Sequence, residues 1–106
     1  MKGFQITFFT QQDRKHKGKP LAEWLLQFAR ENGAHGGTIT AGSEGFGRDG
    51  RIHSAHFFEL ADQPIEVVVA VDERTSTTLF FGLETEGVSV FYVKTAVEFG
   101  AIGSPN

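Results

Sequence analysis

The stretch that decides the fold is Pro64-Ile65-Glu66-Val67-Val68-Val69-Ala70-Val71-Asp72. Its middle, residues 65–71, is a nearly continuous apolar run, which is typical of a strand at the centre of a sheet. Asp72 follows at once and can be the N-cap of a helix, because its carboxylate can accept hydrogen bonds from N–H groups of the first turn. The stretch therefore predicts a central strand that leads directly into a helix.

Downstream of this stretch the sequence predicts a helix over residues 72–86. Leu79, Phe80 and Leu83 have helical spacing, and Gly87 can end the element, but residues 75–78 are hydroxyl-bearing and partly β-branched, which disfavours a helix. The prediction therefore depends mainly on topology. A long strand is expected over 88–97. Residues 1–99 are expected to form a single domain and residues 100–106 a flexible tail.

Upstream, alternating apolar residues predict a first strand over about residues 3–10. A helix is predicted over 20–32, with Pro20 in its first turn and Asn32-Gly33 as its left-handed end. One face of this helix is apolar: Leu21, Trp24, Leu25, Phe28 and Ala29. Short strands are predicted over 38–41 and 54–60, with a turn over 61–64.

These elements reduce to the order βαββαβ. Strands 54–60 and 65–71 are interpreted as a folded-back ribbon around the turn at Pro64. The fold class is then α+β, a ferredoxin-like sandwich with helices on one face of a mainly antiparallel sheet. In a chain of 106 residues the other face needs cover from elsewhere, so we expect copies of the same chain to pack there.

Composition narrows the possible functions. The net charge of −3 gives no general attraction to nucleic acid, and the absence of cysteine excludes disulfides and thiolate metal sites. The N-terminus lacks the apolar run of a signal peptide and no stretch is long enough for a membrane helix, so a cytoplasmic protein is expected.

The glycine-rich stretch Gly42–His53 carries the unusual chemistry, with four glycines and two arginines in twelve residues. Its spacing is GxxGxG, and it has no Gly-Lys-Ser/Thr ending, so it is neither a dinucleotide fingerprint nor a Walker A loop. It is either an ordinary connector or an anion-binding loop that uses backbone N–H groups, Arg48 and Arg51. The basic loop 14–19 is likewise either a solvated loop or a contact for phosphate or an acidic partner.

Several motifs together resemble one family, the DUF190 family of PII-like proteins, over about residues 2–98. They are Lys19-Pro20-Leu21 with Trp24-Leu25-Leu26, Gly36, Thr38, Gly42, Glu44, Gly45-Phe46-Gly47, Arg51-Ile52-His53-Ser54, and Pro64 to Val69 with Val71-Asp72. The resemblance implies a ferredoxin-like fold, a homotrimer and a non-enzymatic regulatory role. It also implies that the glycine stretch is the base of a T-loop, which contacts adenine nucleotide between subunits and changes order on binding.

On this resemblance we expect ligand contacts from the T-loop base, from the strand before it and from the start of the central strand. The candidate ligand-binding residues are Thr38, Glu44, Gly45, Phe46, Gly47, Arg48, Arg51, His53, Glu66 and Val68. Asp49 replaces a PII glutamine, which argues against 2-oxoglutarate sensing. The PII phosphate loop is reduced to residues 85–88 and the C-terminal arginine pair is missing, so AMP or ADP is favoured over Mg-ATP. No tightly bound cofactor is expected.

By analogy with PII proteins, the regulated partner is a membrane transporter or channel, or an enzyme, and not nucleic acid. Three other functions stay open from the residues. One is a trimeric enzyme with His53 as its acid–base group. Another is a metal-binding trimer using His16, His53 or His56, although no helical histidine pair is present. The last is a purely structural interaction module.

Overall fold

The computed structural model describes residues 1–46, 52–54 and 63–103. Its elements follow the predicted order, with two short hairpins added. In chain order they are β1 (Lys2–Gln11), β2 (Lys15–His16), β3 (Lys19–Pro20), α1 (Leu21–Glu31), β4 (Gly36–Ala41), β5 (Glu44–Phe46), β6 (Ile52–Ser54), β7 (Pro64–Asp72), α2 (Glu73–Thr85) and β8 (Phe91–Glu98).

The main sheet has four strands in the order β4-β7-β1-β8, and every neighbouring pair is antiparallel. This is the ferredoxin-like order, so the predicted fold class is confirmed. Strand β7 lies between β1 and β4, with Phe8 opposite Val67 and Thr38 opposite Val68. The predicted central strand is therefore found at the centre of the sheet.

One face of the sheet packs against both helices and forms the core. Because side chains alternate along a strand, every second residue of β1 and β7 points to this face. The buried residues are Ile6 and Phe8 of β1, Ile65, Val67, Val69 and Val71 of β7, Leu21, Ala22, Leu25 and Ala29 of α1, and Leu79 and Leu83 of α2. Burying one large apolar side chain contributes roughly 1.5–3 kcal/mol, so this layer holds the domain together.

Both helices end in the same way. In α1, Gly33 has φ of 100° and the N–H groups of Gly33 and Ala34 donate to the carbonyls of Arg30 and Ala29. In α2, Gly87 has φ of 72°, and the N–H groups of Gly87 and Val88 donate to the carbonyls of Glu84 and Leu83. Both are Schellman ends, in which a left-handed glycine lets free carbonyls of the last turn accept hydrogen bonds. The predicted helix ends at Asn32-Gly33 and Glu86-Gly87 are confirmed.

The start of α2 also matches the prediction, whereas the starts of α1 and of the last strand differ from the predicted positions. Asp72 Oδ1 accepts the N–H of Thr75 at 2.7 Å, so Asp72 is the N-cap. Pro20 precedes α1 instead of lying in its first turn. The last strand begins at Phe91 and not at Val88, because the Val88 N–H closes the end of α2 by donating to the Leu83 carbonyl.

The predicted ribbon around Pro64 involves residues 55–62, which lie outside the described part of the chain. Strand β7 pairs with β1 on one edge and with β4 on the other. The ribbon that the structure describes is formed by β5 and β6, at the two ends of the glycine stretch. Of the predicted strand 54–60, residues 55–60 lie outside the described part of the chain.

The second face of the main sheet points away from the helices and carries apolar side chains. Phe91 and Val93 of β8 are 42% and 46% exposed, and the Phe91 ring lies 5.5 Å from the ring of Phe9. Within residues 1–46, 52–54 and 63–103, no element packs over this face. Neither described helix is long and apolar enough to cross a membrane.

The close approach of β1 and β7 predicts a strict need for glycine at residue 3. A Cβ at Gly3 would collide with the Val71 carbonyl oxygen, whereas a Cβ at Gly36 would meet nothing within 4 Å. We expect Gly3→Ala to lower the free energy of unfolding by about 2 kcal/mol, and Gly36→Ala to leave it nearly unchanged. Urea denaturation of both variants measures this, and equal effects would contradict the packing described above.

The Asp72 cap predicts an acid-sensitive contribution to stability. The Thr75 N–H, then the His35 ring at 3.2 Å, hold the pKa of the Asp72 carboxyl below its ordinary value. A lowered carboxyl pKa in the folded state stabilises the fold above about pH 4, and this contribution is lost as the pH falls through the folded-state pKa. Asp72→Asn keeps a capping oxygen but removes the charge, so its unfolding should depend less on pH below about pH 4 than that of the parent protein.

Denaturant unfolding between pH 3 and pH 7 tests this. Asp72→Ala serves as the comparison, because it removes both the cap and the charge and should be less stable than Asp72→Asn at pH 7. The same acid sensitivity in Asp72→Asn and the parent chain would refute the assignment.

Candidate functional site

The ends of the glycine stretch form an antiparallel stem. In this stem Glu44 lies opposite Ser54, Gly45 opposite His53 and Phe46 opposite Ile52. The stem begins directly after β4, where the Gly42 N–H donates to the Pro64 carbonyl at 2.8 Å. The two described ends of the stretch therefore pair with each other, close to the end of the sheet at which β7 starts.

The candidate residues on the main sheet lie together on the face turned away from the helices. Thr38 is the cross-strand partner of Val68, and Thr40 is the partner of Glu66. Thr38 is exposed, and Glu66 and Val68 are half-buried. Glu66 is the diagonal neighbour of Thr38 across the two strands. The hydroxyl of Thr38, the carboxylate of Glu66 and the apolar surface of Val68 are therefore within reach of one small ligand.

The structure describes seven of the ten candidate residues, in two groups. Thr38, Glu66 and Val68 form the strand group, and the stem follows β4 by two residues and carries Glu44, Gly45, Phe46 and His53 in its ladder. The remaining three, Gly47, Arg48 and Arg51, lie outside the described residues, as does Asp49.

The basic loop 14–19 is a small hairpin, formed by β2, β3 and a turn at Lys17-Gly18. It contacts the segment that links α2 to β8. The Lys17 Nζ and the His16 Nε2 lie 2.8 Å and 3.2 Å from the same oxygen, Oε1 of Glu86. Lys17 first, and then His16, lower the pKa of the Glu86 carboxyl. Arg14 Nη2 donates to the Ser89 carbonyl at 2.7 Å.

Sequence reasoning missed this docked hairpin. The signal was present, because a glycine at the second place of a two-residue turn between short segments is typical of a β-hairpin. Its target, Glu86, is 69 residues from Lys17 and could not be inferred from local pattern. The hairpin starts where the Gln12 N–H donates to the Gln63 carbonyl. It therefore leaves the sheet at the same end as the glycine stem.

The positions of the described histidines are relevant to two of the alternative functions, the histidine-based metal site and the enzyme with a histidine acid–base group. His35 lies at the opposite end of the sheet, where its Nε2 is 3.2 Å from Asp72 Oδ2, and His16 is engaged with Glu86. Within the described ranges, no group of three or more potential ligand side chains is arranged to hold a metal ion. His56 lies outside those ranges.

Comparison with known proteins identifies the family. Residues 3–89 match the sequence model of DUF190, described as "Uncharacterized ACR, COG1993". A UPF0166 protein of Aquifex aeolicus (strain VF5) is 31% identical, and the match covers 83% of this chain and 92% of the Aquifex protein. The chain belongs to the DUF190 family. The resemblance read from the glycine-rich and proline-containing motifs is thereby confirmed.

Solved structures show which fold this DUF190 protein shares. CPII, a nitrogen regulatory PII-like protein from Thiomonas intermedia K12, was solved bound to ADP, AMP and bicarbonate; it is 20% identical, with a TM-score of 0.69 over 95% of this chain and 91% of CPII. CPII bound to ADP and bicarbonate is 21% identical, with a TM-score of 0.65 and the same coverage. TTHA0516 from Thermus thermophilus is 18% identical, with a TM-score of 0.65 over 92% of this chain and 88% of that protein. The DUF190 chain therefore has a PII-like fold.

Proposed function

We propose that this DUF190 protein is a PII-like regulatory protein that binds an adenine nucleotide, ADP or AMP, in clefts between the subunits of a homotrimer. The observation that supports the proposal is the pairing of Thr38 with Val68, beside Glu66, on the face that the helices leave open. The glycine stem follows directly from the same strand, β4, next to Pro64.

The chemistry of this region suits a nucleotide. Val68 offers apolar surface for a base, and Thr38 and Glu66 offer hydrogen-bonding groups for its polar edge. Glycines in the stem allow a phosphate to approach backbone N–H groups closely, and Arg48 and Arg51 supply charge for it. The ligands of CPII, which are ADP, AMP and bicarbonate, support the choice of a nucleotide with few phosphates and of a second small anion.

The same open face supports a trimer. Phe9, Phe91 and Val93 place apolar surface on the side of the sheet away from the helices, and a second copy of the chain can bury it. Strand β8 is also an edge strand, with no pairing partner on its outer side among the described residues. Packing between copies would protect that edge and create the clefts in which the candidate residues lie.

The regulatory part of the proposal concerns the glycine stretch. A ligand that contacts the stretch in one conformation shifts its population toward that conformation, and a partner protein can recognise the difference. By analogy with PII proteins the partner is a transporter, a channel or an enzyme. Residues 1–99 form the binding unit in this proposal, and residues 100–106 form a tail.

Calorimetry with ADP, AMP and ATP tests the nucleotide site. We expect Arg48→Ala to weaken ADP binding by about tenfold or more, because a hydrogen bond to a charged group contributes roughly 1.5–3 kcal/mol. Thr38→Val should weaken it by about two- to tenfold, the size of one neutral hydrogen bond. Thr77→Val, on the exposed side of α2, is the matched control and should change nothing. Absence of binding by the parent protein at millimolar nucleotide would overturn the proposal.

Light scattering coupled to size exclusion tests the assembly. We expect a trimer for the parent chain and a smaller mass for Val93→Glu, because the charge would be buried between subunits. Phe81→Glu is the control, since Phe81 is 72% exposed on α2, on the other side of the molecule. If both variants keep the parental mass, or if the parent is a monomer, the open face is not the subunit interface.

A further inference from the structure

The basic hairpin 14–20, formed by β2, β3 and their turn, holds an unusual amount of charge for an acidic protein. Arg14, Lys15, Lys17 and Lys19 lie within six residues, together with His16, whereas the whole chain has a net charge of −3. Only part of this charge is neutralised. In the described structure Lys15 and Lys19 form no ion pair, and Lys19 lies directly across the hairpin from His16.

The donors of the hairpin converge on one acceptor. Lys17 Nζ and His16 Nε2 both lie within 3.2 Å of Glu86 Oε1. Glu86 is the C-cap of α2, where the helix dipole is negative and a carboxylate is disfavoured unless cations compensate. The cations of the hairpin therefore compensate a carboxylate that the helix end by itself disfavours.

The hairpin is held in place by stacked rings. The His16 ring meets the Trp24 ring edge-on at 4.4 Å, and Trp24 stacks on Phe28 at 4.6 Å with an interplanar angle of 13°. Phe28 in turn lies against Gly82 of α2, where a Cβ would be 2.6 Å from its ring. The His16 ring, positioned on this support, loses little freedom when it binds a ligand, so this donor is preorganised.

The turn of the hairpin holds a lysine where a lysine is strained. Lys17 has φ of 50°, and it is the only non-glycine residue with positive φ in the described structure; Gly18 follows with φ of 80°. A two-residue turn with both φ values positive favours Asn-Gly. Lysine at this position therefore costs stability, which is typical of residues kept for binding.

We infer that the basic hairpin is a binding site for a phosphate group, and that the Glu86 carboxylate occupies it in the free chain. Glu86 presents a single oxygen to Lys17 and His16, whereas a phosphate carries up to two charges and three acceptor oxygens. It can therefore engage Lys17, His16 and the neighbouring Lys19 together. The site uses none of the side chains assigned above to the nucleotide, and its ligand is either free phosphate or the phosphates of a nucleotide.

Amide NMR titrations with inorganic phosphate and, separately, with ADP test this inference at low ionic strength. We expect phosphate to shift the Gly18 signal. Glu86→Gln should tighten phosphate binding by about three- to fivefold, because it removes the internal competitor and exposed ion pairs have about this strength. Lys17→Asn should weaken binding to a similar extent while leaving thermal stability unchanged or higher, because asparagine relieves the strained turn.

Glu84→Gln is the matched control, since it removes the same charge from the same helix end without a contact to the hairpin. If Glu84→Gln tightens phosphate binding as much as Glu86→Gln, the change in net charge explains the effect and not the removal of a competing carboxylate from a site. The inference is then wrong. It is also wrong if neither probe shifts Gly18. A shift by ADP that requires Lys17 identifies the nucleotide as the source of phosphate, and a shift by inorganic phosphate alone identifies the free ion. A third outcome is that ADP binding depends on Arg48 but not on Lys17, and that inorganic phosphate does not shift the Gly18 signal. This outcome overturns the present inference and leaves the proposed function intact.

Discussion

The pairing of β7 on both of its edges is the constraint on which the rest of the structure depends. Its hydrogen bonds to β1 and β4 place it inside the sheet, and its alternating side chains then have different surroundings on the two faces. Ile65, Val67 and Val69 enter the core beneath the helices. Glu66 and Val68, between them, reach the open face. One strand thus supplies both the stability of the domain and part of the candidate site.

The same pairing explains how the site is assembled. Because β4 lies beside β7, Thr38 is brought opposite Val68, and the chain that leaves β4 must start its hairpin next to Pro64. The start of the glycine stem is therefore anchored to the sheet by a backbone hydrogen bond. An anchored stem is suited to responding to a ligand without disturbing the core.

Charge is organised separately, on the helix side of the molecule. The end of α2 carries Glu86, and the basic hairpin neutralises it with Lys17 and His16 across a long separation in sequence. The Trp24–Phe28 ring stack joins this hairpin to both helices. The two ion pairs differ in exposure, because His16 and Glu86 are partly buried whereas the Lys17 side chain is 66% exposed.

Local sequence determined much of this fold. The apolar run of β7, the apolar face of α1, the Asp72 cap and the left-handed glycines at both helix ends were all predictable, because each depends on neighbours within a few residues. The motifs spread from Lys19 to Asp72 were, in combination, also enough to identify the family. The family resemblance allowed the residues of the candidate site to be named, but not their arrangement. The spacing of these residues in the sequence does not show which strands lie side by side.

Only the tertiary structure decided what pairs with what. It showed that the ends of the glycine stretch pair with each other, that Thr38 faces Val68, and that Lys17 and His16 bind Glu86. These contacts join residues up to 70 positions apart. Strand pairing and ion pairing across such distances depend on how the whole chain closes around β7, and a pattern read over a few neighbouring residues contains no information about that closure.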